Sequence, residues 1–290
     1  MLFLQLLVDG LQLGALYALM AVGFAMIFGS TRVFHYAHGT TYVIVGYLFY
    51  YMAERLHFPW WIAAVIAAAA GVAFGVLLDR WMYRPIQRDE GSFFTVFVAS
   101  FGIGVVAENV IVILFGASFV SLSTPLTRAF DVGGGIVVSY LGMFSVLVAA
   151  LLFTFLNWFL ARTDVGVALR ALSENPDLVR GFGLNPRKLS QYAFAIGSLL
   201  VAPAALVATC VTGLTPTAGH RVVLISIAAS IIGGIGSLRG AGLGGLILGL
   251  AESLAVWKLS TGWSEAVAFV ILFAFILARP SGLFGTRARV

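Results

Sequence analysis

The sequence predicts an all-α, polytopic integral membrane protein of about eight or nine helical segments, some of them broken or re-entrant. Three observations carry this. The 290 residues are 61% hydrophobic, with a mean hydropathy of +1.02. Only 10% are charged, where a soluble domain would have about 25%. Apolar runs recur along the whole length, many approaching the ~20 residues a helix needs to span a bilayer. Long continuous apolar runs also exclude a β-barrel, whose strands alternate. One membrane domain over residues 1–290 is expected. The net charge of +5 comes from 17 Lys and Arg. They sit in loops and at helix ends, so they report topology rather than nucleic-acid binding. The one cysteine, Cys210, excludes an internal disulfide.

Taken in order, the first helix is expected over about Leu6 to Phe28. It is retained rather than cleaved, since no basic segment precedes its long apolar stretch. Gly10 and Gly14 form a small-xxx-small pair, continued by Ala18 and Gly23, suited to close helix packing. Arg32, His35 and His38 then precede Thr40 to Met52, a run short for a full crossing. Short, Gly-interrupted segments mark broken helices. His35, His38 and Gly39 are therefore placed at a helix break, where polar groups satisfy freed backbone. The two histidines have no third ligand nearby, which disfavours a metal. Pro59 opens a third helix to about Leu78, and Asp79 to Glu90 reads as a short basic loop. A fourth helix runs from Phe93 to Phe115, a nearly uncharged loop from Gly116 to Ser139, and a fifth helix from Leu141 to Leu160.

The stretch Ala161 to Lys188 is the chain's main polar interruption. Asp164 is expected to N-cap a short helix reaching about Glu174. Asn175-Pro176 ends that helix and starts another, because Asn caps well and Pro suits the first helical position. Asp177 lies in the new first turn, where the helix dipole favours an acid. Gly181 or Gly183 supplies the left-handed stop, and Asn185-Pro186 launches the next membrane helix. Two capped helices outside the bilayer imply a docking role. The residues expected to carry it are Asp164, Gly166, Arg170, Ala171, Glu174, Asn175, Asp177 and Gly183.

The sixth helix is expected from Leu189 to Val211, kinked at Pro203, and His220-Arg221 precede another from Val222 to Ile232. Eight glycines then crowd between Gly233 and Gly249. No strand precedes them and no GxxxxGK[ST] occurs anywhere, so the chain carries no ATP site of its own and no other cofactor is implied. The run reads as a broken membrane helix that packs tightly or lines a path. A last helix spans Ser264 to Leu277, stopped by Arg279-Pro280, with Arg287 and Arg289 in the tail. The basic loops at Asp79 to Glu90 and Ala161 to Lys188, and this tail, are placed inside, which puts the N-terminus outside. A long helix followed by a Gly-broken pair occurs at Leu6 to Met52 and again at Leu189 to Trp257, a weak internal repeat of the kind transporters show.

Few polar groups interrupt the apolar spans. Ser100, Glu108, Asn109, Ser226 and Ser230, with Gly233, Gly234 and Gly236, are the expected lining of a translocation path. Glu108 fits either a path or a buried structural pair. A secondary transporter would need proton-relay residues in mid-membrane, and Glu108 and Glu252 are its only candidates. A passive channel for a small solute such as urea or an amide remains the alternative, though it would not need the capped cytoplasmic helices. No constellation of nucleophile, base and metal suggests an enzyme.

These residues carry a resemblance over essentially the full length. DGLQLGALYALMAVGFAMIFG (Asp9 to Gly29), ASFGIGVVAENVIVILFG (Ala99 to Gly116), GVALRALSENPDLVRGFGLN (Gly166 to Asn185), GGIGSLRGAGLGGLILGLAE (Gly233 to Glu252) and RPSGLFG (Arg279 to Gly285) resemble segments of the smaller, LIV-H-type permease of branched-chain amino acid ABC importers. HYAHG (His35 to Gly39) is similar to that family's NFAHG motif, with His35 in place of Asn. Val179-Arg180-Gly181 replaces a more Ala-rich stretch. The resemblance implies a bacterial inner-membrane importer of branched-chain amino acids or related small solutes. Its other parts would be a second, larger permease, two ATP-binding subunits and a periplasmic solute-binding protein. It also implies that the segment from Asp164 to Gly183 sits in a groove of the ATP-binding subunit, with Gly166 allowing close approach.

Overall fold

A computed structural model describes residues 2–88, 92–133, 135–279 and 281–284. Glu90, Pro280, Gly285, Arg287 and Arg289 lie outside the described residues. Helix dominates: α1 (Leu2–Thr31), α2 (His38–Tyr50), α3 (Trp60–Leu78), α4 (Arg84–Arg88), α5 (Phe93–Phe115), α6 (Tyr140–Arg162), α7 (Asp164–Glu174), α8 (Pro176–Gly181), α9 (Pro186–Val211), α10 (Ala218–Gly233), α11 (Leu238–Ala255) and α12 (Ser264–Ala278). Among the described residues, six helical spans are long and apolar enough to cross a membrane: Leu2–Thr31, Trp60–Arg88, Phe93–Phe115, Tyr140–Arg162, Pro186–Val211 and Leu238–Ala255. Helices α2, α10 and α12 are shorter. Large apolar side chains stand exposed along α5 and α6, among them Ile113, Leu114, Leu147 and Leu151. A helix apolar on all sides is what hydrocarbon surroundings select.

The structure departs from the sequence reading in several places. The segment after Leu78 is not a loop: a π-helical turn, Asp79–Tyr83, carries the third span on into α4. The loop from Gly116 holds a small antiparallel hairpin, β1 (Ala129–Gly133) and β2 (Ile136–Ser139). Thr163, not Asp164, caps α7: its Oγ1 accepts from the Gly166 amide at 3.0 Å, and Asp164 is the first helical residue. His220 and Arg221 lie inside α10 rather than before it. The other caps are as expected. Asn175 Oδ1 accepts from the Asp177 and Leu178 amides, both at 3.0 Å, and Asn185 Oδ1 from the Arg187 amide at 3.0 Å. Gly183 takes the left-handed φ of +75° that ends α8, while Gly181 stays helical.

The chain divides into two compact units, each built from separated stretches. In the first (residues 2–25, 123–151 and 224–284) the start of α1 lies against α11 through small residues. A Cβ on Gly10 would come within 3.0 Å of the Ser253 Cβ, and one on Gly14 within 2.9 Å of the Leu246 carbonyl oxygen. The Gly10/Gly14 face therefore packs backbone to backbone, as small-residue faces do in membranes. The second unit (residues 26–122 and 152–223) is built on α2, α3 and α9. Its core gathers Ile27, Val33, Leu78, Tyr83, Val96 and Phe194. Near the start of α9, Asp79 is buried and ties the third span down. Arg84 donates to its Oδ2 at 2.9 and 2.6 Å, and the Ser190 hydroxyl donates to its Oδ1 at 2.6 Å.

A cleft at two helix breaks

Two short helices begin inside the second unit, and their first turns meet. After α1 ends, residues 32–37 re-enter the bundle and α2 starts at His38; after α9 ends, residues 212–217 do the same and α10 starts at Ala218. The two cross at Gly39 and Gly219. A Cβ on Gly219 would meet the Gly39 carbonyl oxygen at 2.8 Å, and a Cβ on Gly39 would collide with the Gly219 carbonyl. Only glycine lets two helix backbones approach so closely.

A hydrogen-bonded relay lies under the first break. The His35 ring is wholly buried, and its Nδ1 lies 2.8 Å from the Tyr83 hydroxyl. Tyr83 Oη lies 2.8 Å from Ser100 Oγ, which accepts from the Ala37 amide at 2.9 Å. That amide belongs to the residue just before α2, so the chain of hydroxyls satisfies freed backbone at the break. On the other side, an outer loop clamps the second break: the Val120 and Leu214 backbones pair, and the Leu122 amide donates to the Thr209 carbonyl at 3.0 Å.

Between the crossing turns opens a cleft lined by Tyr36, Gly39, Thr40, Gly104, Glu108, Gly219 and His220, among others. Gly104 lies about halfway along α5, so the cleft sits at mid-span. Its polar side chains are linked. Tyr36 Oη is 2.8 Å from His220 Nδ1, and His220 Nε2 is 2.8 Å from Glu108 Oε2. The tautomer that satisfies all three has the Tyr36 hydroxyl donating to Nδ1 and Nε2–H donating to the carboxylate. Helix N-termini carry partial positive charge. The cleft thus sets a carboxylate beside the positive ends of two helices. Its enclosed free space is about 20 Å³, room for about one water.

The residues singled out in the sequence distribute as follows. Glu108 lines the cleft. Ser100 lies behind it, in the relay with His35, and His38 is buried with its ring 6.0 Å from that of His35. Asn109 faces outward, its amide donating to the Val105 carbonyl of its own helix at 2.8 Å. Ser226 and Ser230 are buried in the first unit, where the Ser230 hydroxyl donates to the Ser226 carbonyl at 2.7 Å. Gly233 abuts Gly240, and Gly234 and Gly236, at φ +103° and +92°, form the turn from α10 to α11. Leu283 and Phe284 donate back to Ile232 and Gly233 across that turn, at 2.9 and 3.0 Å. Glu252 is buried and accepts from the Tyr17 hydroxyl at 2.8 Å. Gly166 is buried too, against Phe159 and Leu160 of the preceding helix, so the tight approach at this glycine is internal. Tyr36, Thr40, Gly104, Gly219 and His220 line the cleft but were not singled out as site residues in the sequence. The signal that could have found Gly219 and His220 is the short stretch between α9 and α10, which mirrors the one before His38.

Crossed half-helices buried among long apolar spans, with a polar cleft at their meeting point, define a multi-pass membrane permease. The chain belongs to the family of permease components of branched-chain amino acid transport systems, whose sequence pattern matches residues 6–276. It is similar to the high-affinity branched-chain amino acid transport system permease protein BraD of Pseudomonas aeruginosa, at 31% identity over 98% of this chain and 96% of that protein. It is similar to LivH of Escherichia coli K12, at 29% identity over the same shares. The autoinducer 2 import system permease protein LsrC of Yersinia pestis is more distant, at 25% identity over 74% of this chain and 59% of that protein. Among solved structures, PsaBC from Streptococcus pneumoniae in complex with Fab shares the fold, with a TM-score of 0.52 at 12% identity over 98% of this chain and 92% of that one.

Proposed function

We propose that this chain is a transmembrane permease subunit of an ABC importer in the bacterial inner membrane, moving branched-chain amino acids or related small polar solutes. A separate subunit hydrolyses the ATP. The observation that carries the coupling role is the outer face of α7 and α8. Leu169, Leu172 and Val179 point inward and are buried. On the other side Val167, Leu178, Phe182 and Leu184 stand exposed beside Arg170 and Glu174, with Phe182 at 77%. An apolar patch rimmed by charge, on capped helices outside the spans, is a protein-docking surface. In a chain without a phosphate loop, an ATP-binding subunit fits it.

The other partners follow from the same reading: a second, larger permease, two ATP-binding subunits and a periplasmic binding protein. The C-terminus is cytoplasmic and the N-terminus periplasmic. The cleft supports the substrate class. A free amino acid is a zwitterion, and Glu108 beside two helix N-termini offers an acceptor for its ammonium group and donors for its carboxylate. Passage requires α2 and α10 to move apart at Gly39 and Gly219, and movement of α7 and α8 on ATP binding would drive it. The test is uptake together with co-purification in a Leu178→Asp/Phe182→Asp variant. The ATP-binding subunit is expected to be lost while the second permease is retained. Retention of both, with ATP-driven uptake intact, overturns the docking assignment.

A further inference from the structure

Three spans end at one place. Thr31 closes α1, Arg88 closes the Trp60–Arg88 span, and Arg187 lies in the first turn of α9. With Leu172 of α7 and Arg180 of α8 they line a cavity of ≈ 260 Å³. Its charge is one-sided. Arg84, Arg88, Arg180 and Arg187 all line it, and among the described residues no carboxylate does. Two of the four are matched from outside: Arg84 by buried Asp79 at 2.6 Å, and Arg180 by Asp177 at 2.9 Å. Among the described residues, Arg88 and Arg187 have no carboxylate within 4.0 Å. Ser30, Ser190, Gln87 and the apolar Leu172 are among the other residues of the walls.

Two guanidinium groups without a carboxylate partner among the described residues, on one cavity, call for an oxyanion with more than one acceptor oxygen, because the guanidinium fork pairs bidentately with phosphate. The position narrows the source. Ends of spanning helices lie at headgroup level, and Trp81, exposed at 72%, stands one turn before Arg84 on the same span. Exposed Trp near a span end marks the membrane interface. Basic pockets between spans at that level take lipid headgroups.

We propose that this cavity binds the headgroup phosphate of an anionic phospholipid through Arg88 and Arg187. The lipid ties α7 and α8 to the ends of three spans and so sets the resting position of the docking helices. Free phosphate offers the same chemistry without the acyl chains.

The experiment compares the full chain, with its co-purifying subunits, in nanodiscs of phosphatidylcholine alone and with phosphatidylglycerol added. Phosphatidylglycerol is expected to raise the unfolding midpoint by about 2–4 °C. Native mass spectrometry is expected to show the lipid retained. Arg88→Gln/Arg187→Gln abolishes both effects, while Arg55→Gln, whose exposed side chain neither lines the cavity nor belongs to the docking face, keeps them. If the double variant does not fold, Arg88→Gln alone is expected to lower lipid retention. An equal shift produced by inorganic phosphate in phosphatidylcholine discs overturns the lipid assignment and leaves a free-anion site. No shift, or a shift unchanged in the variant, overturns the site. Loss of a partner subunit in the variant, with no lipid effect, overturns it in favour of an acidic protein contact.

Discussion

A Cβ placed on Gly219 would stand 2.8 Å from the carbonyl oxygen of Gly39. This crossing brings the N-termini of α2 and α10 together and shapes the cleft. Alanine at Gly219 is therefore expected to push the half-helices apart, at a cost of about 1–3 kcal/mol as overpacking, and to disturb uptake. Gly102 is the control. It lies in α5, where an added Cβ would meet nothing within 4 Å, and Gly102→Ala is expected to be neutral or to stabilise by about 0.5–1 kcal/mol. Thermal unfolding and solute uptake of the two variants check this.

The Glu108–His220 contact is expected to matter for transport more than for folding. Glu108→Gln keeps the shape but removes the charge, and a hydrogen bond to a charged group contributes about 1.5–3 kcal/mol. If that contact serves the solute, uptake falls about tenfold or more with little change in the unfolding midpoint. Asn109→Ala, on the outward face, leaves uptake unchanged. A midpoint that drops in step with uptake would make Glu108 a structural residue.

Asp79 predicts the opposite pattern. Its side chain is 2% exposed and carries both Arg84 and Ser190. Asp79→Ala strands the Arg84 guanidinium, itself 23% exposed, so the loss is expected near about 2–3 kcal/mol, below that of a fully buried pair. Adding Arg84→Met restores part of it, because the pair couples. Unfolding in detergent, read as a double-mutant cycle, tests this.

The caps rank the docking segment. Asn175 accepts from two amides at the start of α8, so Asn175→Ala is expected to cost about 1 kcal/mol and to speed amide exchange in Pro176–Gly181. Thr163→Ala acts likewise on α7. Asp164→Ala removes only a favourable charge in the first turn, at about 0.3–1 kcal/mol.

How much of this was legible follows from how far each signal reaches. Asn175-Pro176 and Asn185-Pro186 act within one turn: the start of α8 was readable to the residue, and α9 begins at Pro186, right after its Asn cap and three residues before the Leu189 expected from the apolar run. The break before α2 was visible from Arg32, His35 and Gly39 because the apolar run after them is short. Its partner at Gly219 lies far along the chain, and nothing local at Gly39 names it. Ser100 read as a path residue because a hydroxyl in an apolar span demands a reason; the reason is the Ala37 amide and the Tyr83 hydroxyl, which only tertiary packing supplies. Asp79 and Arg84 read as loop charges for the same cause. Thr163 lost the cap to Asp164 in the sequence reading because adjacent residues with similar cap preference are separated only by backbone geometry. The hairpin of β1 and β2 went unread because its loop carries glycines and few alternating residues.

As proposed, this permease works as one part of an ATP-driven importer. The most direct measurement is affinity purification of the tagged chain from its native membrane in mild detergent, with mass spectrometry of the proteins retained and solute uptake after reconstitution. The account predicts a second permease and an ATP-binding subunit in the complex, and uptake of branched-chain amino acids that stops without ATP. A chain recovered alone as a symmetric oligomer, passing solute without ATP, would contradict it.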